Sequence, residues 1–229
     1  MRGRNRITWE NYGICPAGFA LRGGVFFMST GNNAAFNFKK QIGDFASISE
    51  EQIDLFLQST VKETYKRNEY FSTIEKPSES IAFVARGLFR VYIIDRDGNE
   101  ATLNFRGEDM PMSSYGAVLL GQLEPVFIQA LEDSEILTMP RTEVIKHWEN
   151  DTRWKVLLQK FTELDCLQLR RREFSFLQDD AKTRYINFYR DFNRYASRIK
   201  LRYIASYLGI TPEALSRIRS SPLKAVSRQ

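Results

Sequence analysis

The side chains with the clearest chemistry in this sequence lie in residues 201–220, LRYIASYLGITPEALSRIRS. Glu213 and Arg217 stand four residues apart, so a helix places them on one face, one turn from each other. A guanidinium can donate two hydrogen bonds to the edge of guanine, and a carboxylate can accept one from cytosine. Two such side chains on an exposed helix are physically suitable for reading a G·C step.

The residue types around this pair predict two short helices that cross at a steep angle. Ala205 is small enough for two helices to touch, and Gly209 can take the left-handed conformation that ends the first helix. Thr211 is a good N-cap for the second helix, and Pro212 is a favoured first helical residue. The sequence therefore predicts a helix-turn-helix. The apolar residues expected to pack in it are Ile204, Leu208, Ile210, Leu215 and Ile218.

Other reactive residue types are too few for catalysis or metal binding. The sequence has one histidine, His147, and two cysteines, Cys15 and Cys166. They cannot supply a zinc site, an iron–sulfur cluster, or a Ser–His–Asp triad with a choice of partners. We therefore predict no catalytic residue, no metal, no cofactor and no enzymatic activity. So few cysteines also indicate a reducing compartment.

The positive charge is concentrated at the C-terminal end of the chain. The formal net charge is +5 over 229 residues, but residues 182–229 hold eleven Lys and Arg against Asp191 and Glu213. This asymmetry favours a polyanionic partner, either nucleic acid or a membrane surface, and a solvated basic face is the alternative. The sequence contains no stretch of about 18 uninterrupted apolar residues, so we expect no membrane span.

The middle of the chain has the composition of β-structure. Residues 79–112, ESIAFVARGLFRVYIIDRDGNEATLNFRGEDMPM, are rich in Val, Ile, Phe and Tyr, and Asp97-Gly98 predicts a hairpin turn. Residues 124–148, EPVFIQALEDSEILTMPRTEVIKHW, continue with short strands separated by the acidic turn LEDSE. Short strands without helices between them favour an antiparallel barrel or sandwich.

After Trp148 the apolar spacing becomes helical. Apolar residues recur every three or four positions from Trp154 to Leu167, and nothing breaks the pattern before Asp179. A stripe of this length can pack on the chain's own barrel or pair with a second copy of the chain, and we favour the homodimer. In residues 181–198, a second helical region, the spacing of the aromatic residues indicates core packing rather than base stacking.

Residues 1–30 differ from the rest of the chain. They hold scattered Arg and Gly without a sustained period, and a second Met stands at position 28. Arg22 and several glycines interrupt the apolar region that a signal peptide needs. We interpret residues 1–30 as a leader that is disordered or non-native.

The order of these parts resembles the Crp/Fnr family of bacterial transcription regulators over residues 40–220. The resemblance is strongest in IASYLGITPEALSRIR, in FVARGLFRVYIIDRDGNEATLNF and in IQALEDSEIL. It implies an α+β fold in three parts. These are an antiparallel β-roll of the cyclic-nucleotide-binding type at residues 31–148, a long dimerisation helix at 149–178, and a helix-turn-helix DNA-binding domain at 179–229.

The effector site departs from the pattern of family members that bind cyclic nucleotides. Those members carry Gly-Glu for the ribose, and later an Arg-Ser or Arg-Thr pair for the phosphate. Here Gly107-Glu108 is followed by Glu124-Pro125-Val126 where the arginine is expected. A carboxylate repels a phosphate, so we do not expect cyclic AMP to bind. The residues that could line a pocket for another effector are Ser113, Ser114 and Tyr115.

The recognition helix also departs from the family pattern, because Pro212 stands where many members have the first residue of Arg-Glu-x-x-x-Arg. The expected function is a cytoplasmic, homodimeric, sequence-specific transcription regulator without enzymatic activity. Its expected partners are double-stranded DNA, a second copy of the chain and RNA polymerase, with no membrane. The alternatives are a regulatory adaptor that has lost DNA affinity and, less favoured, an enzyme that uses the barrel cavity. The residues predicted to contact DNA are Arg202, Thr211, Glu213, Ser216, Arg217 and Arg219.

Overall fold

The computed structural model describes residues 57–220 apart from residues 109, 115 and 123. The leader predicted at residues 1–30 lies outside the described residues, as do residues 221–229. The described part begins with a β-roll and ends with helices, which is the predicted α+β architecture.

Two four-stranded antiparallel sheets form the roll. One sheet has the strand order β1-β8-β3-β6, and the other has the order β2-β7-β4-β5. The predicted antiparallel β-structure is therefore confirmed. The strands are β1 Val61–Tyr65, β2 Tyr70–Ser72, β3 Ser80–Arg86, β4 Leu88–Ile94, β5 Glu100–Gly107, β6 Pro111–Met112, β7 Phe127–Ala130 and β8 Ser134–Pro140.

The core of the roll follows from the alternation of side chains along its strands. In β7 and β8, every second residue from Ile128 to Ala130 and from Ser134 to Thr138 is buried. Successive side chains of a strand point to opposite faces, so each strand presents one apolar row to the other sheet. The buried residues that meet between the sheets are Phe71, Ala82, Val84, Phe89, Met112, Ile128, Ala130 and Ile136.

The predicted hairpin is the β4–β5 pair. Ile94 pairs with Glu100 at the end of the ladder, and Gly98 has a φ of 82°, the left-handed conformation that the turn requires. The Asp95 carboxylate accepts hydrogen bonds from the backbone N–H groups of Asp97 and Asn99, at 2.9 and 2.8 Å. The hairpin turn predicted at Asp97-Gly98 is therefore confirmed, and the Asp95 side chain stabilises it.

One prediction about the end of the roll is wrong. Residues 141–148 were expected to continue the strands, but they form a helix that begins directly after β8. Val144 is buried in this helix, whereas Trp148, one turn later, is 36% exposed. Because a spacing of four residues fits a strand as well as a helix, the apolar pattern alone does not distinguish the two. The helices are α1 Arg141–Asn150, α2 Thr152–Gln178, α3 Ala181–Asp191, α4 Leu201–Leu208 and α5 Pro212–Ser220. Among the described residues, none of these helices is long and apolar enough to cross a membrane.

The long helix α2 has two different faces. On one face Arg106 of β5 donates two hydrogen bonds to Asp165, at 2.8 and 2.9 Å, and Arg172 donates to the backbone carbonyl of Thr102 at 2.9 Å. Leu167 and Leu177 lie on the opposite side of the helix, where both are exposed. The roll therefore covers one side of α2, and on the other side Leu167 and Leu177 are open to solvent.

The aromatic residues of α3 pack into a core that continues from the roll into the C-terminal helices. Phe105 of β5 is fully buried, and its ring contacts Phe188 of α3, Phe192 directly after α3, and Tyr207 of α4. This confirms that the aromatic residues of this region are core. The residues of α3, α4, α5 and their links that are buried in this cluster are Tyr185, Phe188, Phe192, Tyr195, Ala196, Ile199, Tyr203, Ile204, Ala205, Leu208 and Leu215.

Candidate nucleic-acid interface

Helix α4 ends at Gly209, as the sequence predicts. Gly209 has φ 65° and ψ 39°, and its N–H donates to the carbonyl oxygens of Ala205 and Ser206. The N–H of Ile210 then donates to the carbonyl of Ala205 at 3.1 Å. This pair of bonds satisfies the last carbonyls of the helix and turns the chain sharply.

Helix α5 begins with the predicted cap. The Thr211 hydroxyl accepts a hydrogen bond from the N–H of Ala214 at 3.2 Å, and Pro212 is the first helical residue. Leu215 is buried with Ile204 and Leu208, which joins the two helices. The local geometry is that of a helix-turn-helix.

The outer face of α5 is exposed to solvent and polar. The pKa of Glu213 lies below its usual value because its own backbone N–H and Thr211 donate hydrogen bonds to it, with a smaller contribution from Arg217. Glu213 is therefore ionised at neutral pH and can accept a hydrogen bond from a base. The exposed polar residues of this face are Glu213, Ser216, Arg217, Arg219 and Ser220.

Two of the residues predicted to contact DNA, Arg219 and Arg202, lie in surroundings that differ from those of Glu213. Arg219, near the end of α5, interacts with the hydroxyl of Tyr185 on α3. Arg202 donates to the hydroxyl of its neighbour Tyr203 at 2.8 Å, and its charge also interacts with Glu100. Arg202 thus lies beside the β4–β5 hairpin, whereas Glu213, Ser216 and Arg217 share the exposed face of α5.

Not all of the C-terminal positive charge faces outward. Arg184 donates to the carbonyl of Leu208 at 3.1 Å and to the carbonyl of Asp179 at 2.8 Å. Arg198 donates to Glu108 and Glu132 of the roll. Sequence reasoning counted both arginines toward a polyanion surface, but both are engaged within the chain.

The predicted effector residues lie against Glu124. Ser114 is fully buried and donates a hydrogen bond to the Glu124 carboxylate at 3.0 Å. Ser113 Oγ is buried without a hydrogen-bond partner among the described residues, and Tyr115 lies outside them. A Cβ on Gly116 would stand 2.7 Å from Glu124 Cγ, so the glutamate packs tightly against the loop. The Glu124 carboxylate therefore lies against Ser114 and Gly116, in the region where the sequence predicted an effector.

His147, the one histidine of the sequence, is held by contacts with its neighbours. His147 forms a hydrogen bond with Ser59 at 3.0 Å, and its ring packs against Trp154. Burial lowers the pKa of His147, so its ring is neutral at physiological pH. Throughout the described residues, no group of three or more His, Cys, Asp or Glu is placed to hold a metal ion.

Residues 62–151 match the family model described as the cyclic nucleotide-binding domain. Solved structures match a larger part of the chain, 70–76% of it in the three structures described next. No curated protein matches the sequence.

Among these solved structures is FixK2 from Bradyrhizobium japonicum, which is 20% identical with a TM-score of 0.63, over 70% of this chain and 83% of that one. A Crp/Fnr-family transcriptional regulator from Eubacterium rectale is 15% identical with a TM-score of 0.61, over 75% of this chain and 82% of that one. The catabolite activator protein of Thermus thermophilus is 19% identical with a TM-score of 0.51, over 76% and 84%. The resemblance to Crp/Fnr regulators is therefore confirmed at the level of the fold.

The cap at Gly209 leads to a prediction about stability. Alanine at this position must adopt a positive φ, which costs about 1–2 kcal/mol, and its Cβ would stand 2.7 Å from the Phe176 ring. The ring is 40% exposed, but the guanidinium groups of Arg172 and Arg184 lie 4.9 and 5.1 Å from its centre, so a shift of the ring weakens both contacts. Gly209→Ala should therefore lower the free energy of unfolding more than backbone strain alone does.

Gly98→Ala is the matched control. Gly98 also has a positive φ, of 82°, but a Cβ there would meet nothing within 4 Å. In urea denaturation, Gly209→Ala should cost about 1–3 kcal/mol more than Gly98→Ala, the usual range for overpacking. Equal losses in the two variants would show that Phe176 does not restrict residue 209.

Proposed function

We propose that this chain is a homodimeric, sequence-specific DNA-binding transcription regulator, since residues 62–151 match the cyclic nucleotide-binding domain and the fold is that of Crp/Fnr regulators. The observation that carries this proposal is the exposed face of α5, where Glu213 and Arg217 stand one turn apart on a capped, rigid helix. RNA polymerase is the protein partner expected of such a regulator, and the cytoplasm is its expected location.

In the proposed complex, α5 lies in the major groove. Glu213 accepts a hydrogen bond from cytosine, and Arg217 donates two hydrogen bonds to guanine. Ser216 can bond to phosphate or base atoms, whereas Arg219 and Arg202 contribute mainly to phosphate contacts. The Thr211 hydroxyl caps α5 and donates to Glu213, so Thr211 acts in this complex by holding Glu213 in place. Pro212 has no N–H and no polar side chain, so the first position of the helix reads no base.

The open face of α2 supports a dimer. Leu167 and Leu177 are exposed apolar residues, and Phe174 lies between them on the same side with the Arg170 guanidinium 5.3 Å from its ring centre. Leu167 and Phe174 are seven residues apart, which is the spacing of residues that meet along a two-helix seam. A two-fold pair of α2 helices would bury this face and present two α5 helices to one duplex.

We also propose that cyclic AMP is not the effector. Glu124 is bonded to Ser114 in the effector region, and the chain has no arginine in the Glu124-Pro125-Val126 stretch. Two unit charges 4 Å apart repel by about 4 kcal/mol at an effective dielectric constant of about 20, so a phosphate beside this carboxylate is disfavoured. The Ser114 hydroxyl already donates to Glu124, so it is not available to a phosphate.

Arg217→Ala and Arg219→Ala should weaken DNA binding in different ways. Loss of a two-pronged guanine contact should cost about 1–3 kcal/mol on the preferred duplex and flatten the preference at one base pair. Loss of a phosphate contact should weaken all duplexes alike and lower the slope of log affinity against log salt by about one unit. Titrations of both variants with selected and scrambled duplexes at several salt concentrations separate these results. Equal weakening of both duplexes by Arg217→Ala would make Arg217 a phosphate contact.

Leu167→Glu should split the dimer, because it places a charge in an apolar seam. The side chain is 39% exposed in the single chain, so the fold itself should tolerate the change. Ile94→Glu is the matched control, since Ile94 is 43% exposed but lies on the β4–β5 hairpin. Sedimentation at micromolar concentration should give twice 26.7 kDa for the unmodified chain and the control, and 26.7 kDa for Leu167→Glu. An unmodified chain that sediments as a monomer contradicts the dimer.

Millimolar cyclic AMP should give no saturable heat in calorimetry and no change in DNA affinity. The physical reason is the carboxylate of Glu124 in the place where a phosphate would need a positive charge. Cyclic GMP serves as a second probe, because it carries the same phosphate with a different base. Saturable binding of either nucleotide would show that this loop does not exclude phosphate.

A further inference from the structure

A group of ionic contacts joins the segment before α4 to the roll. Arg198, which precedes α4, donates from both terminal nitrogens to the Glu108 carboxylate, at 2.8 and 2.7 Å. The same guanidinium donates to Glu132 at 2.9 Å. Two carboxylates of the roll therefore hold one arginine of the DNA-binding region, and we call these three residues the clamp.

The clamp is partly shielded from water and is charged at neutral pH. The side chains of Arg198 and Glu108 are 32% and 22% exposed. Burial alone would raise the pKa of Glu108, but Arg198 and the backbone N–H of Gly87 donate hydrogen bonds that bring this pKa below its usual value. One arginine is held by two carboxylates, and by one of them through two parallel hydrogen bonds, which distinguishes the clamp from a single exposed ion pair.

Tyr195 completes this contact. Its hydroxyl donates to the backbone carbonyl of Glu108 at 2.9 Å, and its ring lies directly on Gly107. A Cβ at residue 107 would stand 2.2 Å from Tyr195 Cε1, so only glycine fits beneath the ring. Gly107 and Glu108 thus form a single docking point for the segment that leads into α4.

Helix α4 is held along the neighbouring hairpin as well. Ser206 accepts a hydrogen bond from the N–H of Thr102 and donates one to the carbonyl of Glu100, both at 2.9 Å. The buried Arg90 guanidinium lies 4.3 Å from the ring centre of Tyr92 and 4.1 Å from that of Tyr203. Because Leu215 of α5 is buried against α4, these contacts set the direction of α5 relative to the roll.

We propose that Arg198 and Glu108 are positioning residues that fix the orientation of the helix-turn-helix on its own roll, so that the two α5 helices of a dimer keep one spacing without an effector. This inference rests on the proposed function, because the spacing matters only to a dimer on DNA. Neither residue contacts the exposed face of α5, so their effect on DNA binding acts through the orientation of the domain.

The consequence concerns the discrimination between half-site spacings. A dimer with fixed recognition helices binds half-sites about one helical turn apart and loses affinity when they are moved by a few base pairs. A dimer whose domains reorient freely accepts several spacings. Arg198→Gln removes the charge of the clamp and should reduce the affinity ratio between native and altered spacing about tenfold, the loss expected from one charged hydrogen-bonding pair.

The test compares three variants on duplexes that carry the preferred half-sites at native and altered spacing. Arg198→Gln and Glu108→Gln should lose discrimination, while Arg198→Lys should keep part of it because the charge remains. Lys66→Gln is the matched control, since Lys66 and Asp133 form a 2.8 Å ion pair within the roll that touches no C-terminal helix. Weaker binding of all duplexes with an unchanged ratio would mean that the clamp only stabilises the fold, and would overturn the proposal.

Hydrogen exchange separates failure of this inference from failure of the proposed function. If the unmodified chain binds no duplex, the proposed function is wrong, but the clamp can still be measured in the full chain. The backbone amides of α4 should exchange faster in Arg198→Gln than in the unmodified chain, and Lys66→Gln should leave them unchanged. Unchanged exchange of α4 in Arg198→Gln and Glu108→Gln would overturn the clamp itself.

Discussion

The structure depends most on the burial of Phe105, because this ring lies at the centre of the apolar contact between the roll and the helices that follow it. Phe105 belongs to β5 and is fully buried, and its ring centre lies 6.1 Å from that of Phe188 and 5.7 Å from those of Phe192 and Tyr207. The roll and the C-terminal helices therefore share apolar packing instead of meeting at a wet surface. Polar contacts such as the clamp then specify the orientation that this packing makes stable.

The sequence was sufficient to predict an element where the contacts that determine it join residues close together in the chain. Gly209 and Thr211 end one helix and begin the next through bonds to backbone groups a few residues away, so their types alone indicated the turn. Asp97-Gly98 indicated the β4–β5 hairpin for the same reason. Leu215 was predicted to face α4 from its position in the helical period, and it is buried there.

The sequence was insufficient to predict contacts between residues that are far apart in the chain. Glu108 and Arg198 are 90 residues apart, and no period or motif joins them. Arg198 was counted as part of a basic surface, although the fold directs it to two carboxylates of the roll. The helix at residues 141–148 was missed because a short apolar segment after a strand fits either period, and the packing of Val144 decides between them. The placement of Glu124 against Ser114 and Gly116 likewise depends on how the loop folds back.

The most direct test of the account is selection of bound sequences from a pool of random duplexes with the unmodified chain. An inverted repeat whose half-site centres lie roughly 34 Å apart should be enriched, because a two-fold dimer presents two α5 helices to one face of the duplex. Each half-site should contain a G·C pair at the position that Glu213 and Arg217 face. Enrichment of single unpaired sites, or of no sequence, would contradict a dimer that reads DNA through α5.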